Sequence, residues 1–94
     1  MGLDIQHDRE AQRFFTTVNG DQGYLQYAPV SPGKVDFQST FVPPSLRGQG
    51  VAAAIVEHAL EWAEEHEYQV IPSCWYVAQF LDRHPRFQGL RAER

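Results

Sequence analysis

The chain has 94 residues, 43% of them hydrophobic and 21% charged, which is the composition of a globular protein and enough sequence for one domain over residues 1–94. Its 8 basic and 12 acidic residues give a net charge of −4 without a basic stripe, which argues against nucleic acid and favours a cationic or neutral amine as partner. The single cysteine excludes an internal disulfide, and because no membrane span or signal-peptide pattern is present, we expect a cytoplasmic protein without a membrane partner.

The first part of the chain predicts an antiparallel meander. Apolar, aromatic and β-branched residues alternate with polar ones in four segments, separated by turns at Asn19–Gly23 and Ser31–Gly33. In the fourth segment, the alternation predicts Ser39 and Phe41 on one face, together with two apolar residues, and Thr40 on the other. The four predicted strands are residues 1–8, which form an edge strand or an ordered lead, 13–18, 24–30 and 34–42.

The second part of the chain predicts two helices and one more strand. Apolar residues recur at helical spacing from Gly50 to about His66, and Tyr68–Ile71 is a short strand. This strand can run parallel to the fourth through a right-handed crossover. A second helix runs from Trp75 to about Arg83 with Ser73 as its N-cap, and residues 85–94 form a loose or docked tail. We therefore expect an α/β fold with a mixed sheet of about five strands and two helices.

The loop before the first helix predicts an anion site. Gly48 and Gly50 let the main chain approach a ligand closely, because neither has a Cβ. The first turn of a helix has N–H groups without intrahelical partners, and its dipole favours an anion. Arg47 can add a charge-assisted hydrogen bond. The loop is thus a candidate site for the phosphate of a cofactor.

Three phosphate-binding patterns compete for this loop. The P-loop pattern is excluded because no lysine is followed by a hydroxyl residue at the required spacing. Gly48, Gly50 and Ala53 match the dinucleotide pattern G-x-G-x-x-G/A, but the next strand is not followed by the acidic residue that this pattern requires. The third pattern, Arg-x-x-Gly-x-Gly/Ala, is matched by Arg47, Gly50 and Ala52.

This third pattern resembles the signature of the Gcn5-related N-acetyltransferases (GNAT family). The pairing of the segments 42–52 and 71–77 in so short a chain is similar to a small, single-domain subfamily with members in animals. The resemblance covers the chain from about Tyr24 to the helix after Cys74. It implies a GNAT-like acyl-CoA N-acyltransferase fold, in which the pantetheine arm of acetyl coenzyme A (acetyl-CoA) lies between splayed fourth and fifth strands.

The resemblance also implies an activity and a set of cofactor-binding residues. The expected activity is acetyl-CoA-dependent transfer of an acetyl group to a small amine or a protein amine. Members of the subfamily commonly carry a His-Thr pair before the loop, where this chain has Ser39 and Thr40. The resemblance therefore does not supply a histidine base here. The expected cofactor-binding residues are Val42, Arg47, Gly48, Gln49, Gly50, Val51, Ala52 and Ser73.

Four residues are candidates for catalysis. In the first turn of its helix, Cys74 would lie where the helix dipole favours a thiolate, so it is a candidate nucleophile or general acid, or else a passive wall. The Ser39 and Thr40 hydroxyls could orient water or the acceptor, or be ordinary polar groups at a strand end. Tyr76 could protonate the leaving thiolate or simply line the pocket.

Two other classes of function stay open at this point. One is a module that binds CoA or acyl-CoA with little or no transferase activity, and the other is a structural interaction domain that has kept the fold. The histidines are dispersed and no Cys/His spacing suits zinc, so metal binding is not predicted. The oligomeric state does not follow from the sequence.

Overall fold

The computed structural model describes residues 3–92, and the first two residues of the predicted segment 1–8 lie outside them. Five strands form one sheet in the order β1-β2-β3-β4-β5, antiparallel from β1 to β4 and parallel between β4 and β5. The predicted mixed sheet with two α-helices is confirmed. Two short 3₁₀ segments were not predicted from the sequence. The strands are β1 Gln6–Asp8, β2 Arg13–Val18, β3 Asp21–Ser31, β4 Lys34–Phe41 and β5 Gln69–Ile71; the helices are α1 Val51–Glu65 and α2 Trp75–Arg83; the 3₁₀ segments are Pro44–Leu46 and Pro85–Leu90.

The turn between β2 and β3 is shorter than predicted. Asn19 and Gly20 are its only two residues, with φ angles of 52° and 85°, and Val18 pairs with Asp21. Two successive residues at positive φ form the type I′ turn that matches the twist of a hairpin. The prediction of a turn over residues 19–23 was therefore wrong, because this tight turn lets the strand resume at Asp21.

A β-bulge in β4 overturns the predicted faces of its last residues. The register between β3 and β4 shifts by one residue at Gln38, which has no residue opposite it in β3. Because an extra residue reverses the alternation of a strand, Ser39 and Phe41 face outward and do not share the core face with Phe37. Thr40 instead lies on the core side, opposite a fully buried leucine of β3.

Helix α1 packs against the core face of β2 and β3. The contact is close at Gly23, where a Cβ would lie 3.3 Å from the side chain of Val51 and 3.4 Å from that of Ile55. A side chain at Gly23 would thus push the first turn of α1 away from the sheet. The helix buries its predicted apolar face through Val51, Ile55, Val56, Ala59, Leu60 and Ala63.

Strand β4 pairs with β5 only along its first three residues, which lie opposite the whole of β5. The parallel register begins at Lys34 and ends where Asp36 lies opposite Ile71. One residue later, the Phe37 carbonyl accepts the Cys74 N–H at 3.0 Å. Beyond this bond, β4 continues to Phe41 while the chain after β5 turns into α2, so the two strands diverge.

The C-terminal segment, predicted as a loose or docked tail over residues 85–94, is docked in its described part, residues 85–92; the last two predicted residues lie outside the described ones. Phe87 is 1% exposed, and the Ala92 N–H donates to the Val70 carbonyl at 2.8 Å. Arg86 forms ion pairs with three glutamates of α1 at 3.3 to 3.8 Å, but all these side chains are about half exposed. Phe87 therefore contributes most of the docking energy, because exposed ion pairs contribute little.

Neither α-helix in the described part of the chain is long and apolar enough to cross a membrane.

Candidate functional site

The two loop glycines adopt a left-handed backbone. Gly48 has φ = 80°, and Gly50, the N-cap of α1, has φ = 76°. A Cβ built at either position would meet no protein atom within 4 Å. Glycine is therefore favoured here by the backbone conformation, and the space above both residues is open to a ligand.

Six successive backbone donors, those of residues 48–53, surround the start of α1. The first helical hydrogen bond runs from the Ala54 N–H to the Gly50 carbonyl at 3.0 Å. Within residues 3–92, the N–H groups of residues 48–53 make no hydrogen bond. These donors lie at the positive end of the helix dipole, so the arrangement suits a phosphate or diphosphate.

Arg47 stabilises this loop through its Nε and leaves its two Nη groups available as donors. Its Nε donates to the Val42 carbonyl at 3.0 Å. Its two Nη groups make no hydrogen bond or ion pair with any described residue. The side chain thus has a fixed stem and two N–H-bearing nitrogens that can bind an anion at the loop.

Two neighbouring cavities together form what we call the loop groove. One has a volume of about 240 Å³ and is lined by Gly48, Gly50 and Val51; the other, of about 350 Å³, reaches Thr40 and the start of α2. The groove therefore runs from the open donors of the loop to the point where β4 and β5 diverge. Both cavities share Val42, Arg47, Ala52 and Tyr76.

Four of the residues proposed from the sequence do not line the loop groove. Ser39 faces outward because of the bulge in β4. Gln49 donates from its side-chain amide to the Ser45 carbonyl at 3.0 Å, which stabilises the loop from within. Ser73 is exposed. The fourth is Cys74, which lies outside the groove and contacts the groove residue Thr40.

The position predicted for Cys74, in the first turn of a helix capped by Ser73, was wrong. Cys74 is itself the N-cap of α2, with φ = −75° and ψ = 127°, and its carbonyl accepts the Ala78 N–H at 3.1 Å. Its own N–H is held by β4, which fixes where the helix begins. The thiol is 8% exposed and donates to Thr40 Oγ1 at 3.6 Å. Cys74 thus lies behind Thr40, and Thr40 faces the groove.

Tyr76 is the proton donor best placed in the loop groove. It lines both cavities and is half-buried. Burial raises the pKa of its phenol, and nearby Arg83 opposes the shift without reversing it. The phenol is therefore protonated at neutral pH and can act as an acid.

The loop groove contains no evident general base. Among the described residues that line either cavity, there is no aspartate, glutamate or histidine. A base within hydrogen-bond reach is the usual means of removing a proton from an attacking amine.

Sequence reasoning missed two aromatic groove residues. Phe41 and Trp75 line the cavity that contains Thr40, and they are 43% and 73% exposed. The bulge turns Phe41 outward, which strand alternation alone does not reveal. For Trp75 the sequence does contain a signal. On a helical wheel of α2, this large apolar residue lies on the polar face, opposite the buried residues Val77 and Leu81.

Comparisons with known proteins agree on one family. A family model described as GCN5-related N-acetyl-transferase matches residues 13–90. Protein NATD1 of Bos taurus is 34% identical over 90 residues, which cover 94% of this chain and 80% of that protein. Protein NATD1 of Homo sapiens is 32% identical with the same coverage.

A solved structure shows the same fold. A GCN5-like protein from Staphylococcus aureus, determined by NMR, superimposes with a TM-score of 0.77 at 22% identity. The match covers 98% of this chain and 90% of that chain. Together with the extent of the family match, these findings show that the chain belongs to the GCN5-related N-acetyltransferase family.

Proposed function

We propose that the protein transfers an acetyl group from acetyl-CoA to a small amine or a protein amine. The observation that carries the proposal is the row of unpaired N–H groups over residues 48–53, beside Arg47, at one end of the loop groove. Family membership supports acyl transfer in general. The donor set fits the diphosphate of CoA, which is an anion with many acceptor oxygens.

The other end of the groove suits the pantetheine arm. After Phe37, whose carbonyl accepts the Cys74 N–H, β4 has no strand beside it on the β5 side within residues 3–92. We infer that its backbone groups beyond Phe37 are available to an amide-containing chain. An extended arm can satisfy such groups as a peptide does when it adds to a sheet edge. Thr40 then lies near the thioester end, and the loop lies near the diphosphate end.

Three side chains have proposed roles in the chemistry. Acetyl-CoA supplies an activated acyl group, so a C–N bond forms as the C–S bond breaks. The Tyr76 phenol donates a proton to the departing thiolate and becomes a phenolate. The attacking amine loses a proton to water, and water reprotonates the Tyr76 phenolate, so the protons balance. The Cys74 thiol donates to Thr40 Oγ1, which leaves the Thr40 hydroxyl hydrogen able to point into the groove at the thioester carbonyl.

In this scheme Cys74 positions Thr40 and does not carry the acyl group. Its sulfur is almost fully covered and does not line the groove. Direct attack by the amine then depends mainly on positioning and desolvation, because a thioester is already reactive. Intact-protein mass spectrometry after incubation with acetyl-CoA tests this role. We expect no acetyl adduct, and an adduct that is lost in Cys74→Ala would instead make Cys74 a nucleophile.

The lack of a base favours one alternative, a CoA-binding module with little or no turnover. The two functions share the groove and differ only in product formation. The test is to measure CoA affinity by calorimetry and thiol release from acetyl-CoA in the presence of a panel of amines. Thiol release that requires both the amine and Tyr76 supports transfer. Tight binding without amine-dependent release supports the module.

A further inference from the structure

A second cavity lies at the far end of the sheet from the loop groove. This distal cavity, of about 600 Å³, is formed by the turn after β1, the β3–β4 turn and the C-terminal end of α1. Residues 51 and 62 of α1 are about 16 Å apart along the helix, so the two sites are well separated. Its volume is in the range of small-molecule sites in proteins.

Three aromatic rings form one wall of the distal cavity. The Trp62 ring centroid lies 5.3 Å from that of Tyr27 and 5.1 Å from that of Tyr68. Tyr27 is held from behind, because its hydroxyl is hydrogen-bonded to His7, whose ring stacks on Phe14 at 4.0 Å. The wall is thus a fixed aromatic surface that favours a planar apolar group.

The charged residues of the distal cavity are all cations. Arg9 and Lys34 line it, and no aspartate or glutamate does. Neither cation has an ion pair or hydrogen bond within residues 3–92. The neighbouring carboxylate of Asp8 accepts the Ala11 N–H at 3.0 Å and forms no ion pair with Arg9 in the described part of the chain. In a protein with a net charge of −4, two unpaired cations beside an aromatic wall select for an anion.

We propose that the distal cavity binds a small aromatic carboxylate. The ring packs on Trp62 between the two tyrosines, and the carboxylate faces Arg9 and Lys34. The distal cavity shares no lining residue with the loop groove, so this proposal does not depend on the proposed binding of acetyl-CoA.

The two tryptophans make the test specific, because Trp62 lies in the distal cavity and Trp75 in the loop groove. The ¹⁵N-labelled protein is titrated with 2-naphthoate while both indole N–H signals are followed by NMR, with Trp75→Phe assigning them. We expect a saturable shift at Trp62 and none at Trp75. The neutral 2-naphthylmethanol should bind more weakly, and the cationic 2-naphthylmethylamine most weakly.

Charge variants complete the experiment. Lys34→Gln and Arg9→Gln should each weaken 2-naphthoate binding by about three- to tenfold, while the binding of 2-naphthylmethanol stays unchanged. Arg86→Gln removes a surface cation that does not line the distal cavity, and it should change the affinity for neither 2-naphthoate nor 2-naphthylmethanol. No saturable shift at Trp62, equal affinity for the acid and the alcohol, or parallel shifts at both tryptophans would each overturn the proposal.

Discussion

Replacing Gly50 with alanine gives a sharp test of the glycine loop. At φ = 76°, an L-residue is strained by roughly 1–2 kcal/mol relative to glycine. If the loop keeps its conformation, the protein loses that stability and a methyl group stands in the open space above the N–H donors. If the loop relaxes instead, CoA must restore the conformation. Relaxation alone then weakens binding by up to about 5- to 30-fold.

The matched control is Gly20→Ala, because Gly20 has φ = 85° and equally open surroundings but lies in the β2–β3 turn. Urea unfolding and CoA titration calorimetry are measured on both variants. We expect a similar loss of stability where both backbones stay in place, and weaker CoA binding only in Gly50→Ala. Equal CoA affinity in the two variants would refute the assignment of the loop as the diphosphate site.

The other predictions test the loop groove, the docked C-terminal segment and His7 of β1. Arg47→Ala should weaken CoA binding by about 1–2 kcal/mol, and unchanged calorimetry would remove Arg47 from the site. Tyr76→Phe should lower kcat by about 100-fold with the same CoA affinity, and an unchanged rate of thiol release would exclude it as the acid. Phe87→Ala should lower the free energy of unfolding by about 3–5 kcal/mol, whereas Arg86→Ala should lower it by less than about 1 kcal/mol; comparable values would contradict the account of the docked tail. Burial, helped by Arg9, lowers the pKa of His7 below 6.5, so stability should fall as pH drops through 6.5, and His7→Gln should remove that part of the fall in urea unfolding.

The sequence predicted the elements well because their signals are local. Alternation identified the strands, and helical spacing identified α1 and α2. The bounds of α1 differ from the predicted ones by one residue at each end, and those of α2 agree with the prediction. The loop before α1 was also predictable, since glycine is the residue that adopts its backbone conformation at little energetic cost. The splayed strands were implied by the family resemblance alone.

Tertiary contacts decided the features that sequence reasoning missed. The bulge at Gln38 is fixed by the register with β3, and it moves Thr40 inward and Ser39 outward. Likewise, Cys74 is the N-cap of α2 because its N–H is hydrogen-bonded to the Phe37 carbonyl of β4, although Ser73 is the better capping residue by type. Residue preferences carry no information about such partners, which lie far away in the sequence.

The central claim is that acetyl-CoA binds along the loop groove with its diphosphate on the backbone of residues 48–53. The most direct measurement is an NMR titration of the ¹⁵N-labelled protein with CoA, followed at every assigned backbone amide. We expect saturable shifts that are largest for residues 48–53 and extend to Thr40 and Tyr76, with none at Trp62. A saturable response that leaves residues 48–53 unmoved, or no saturable response at all, would contradict the account.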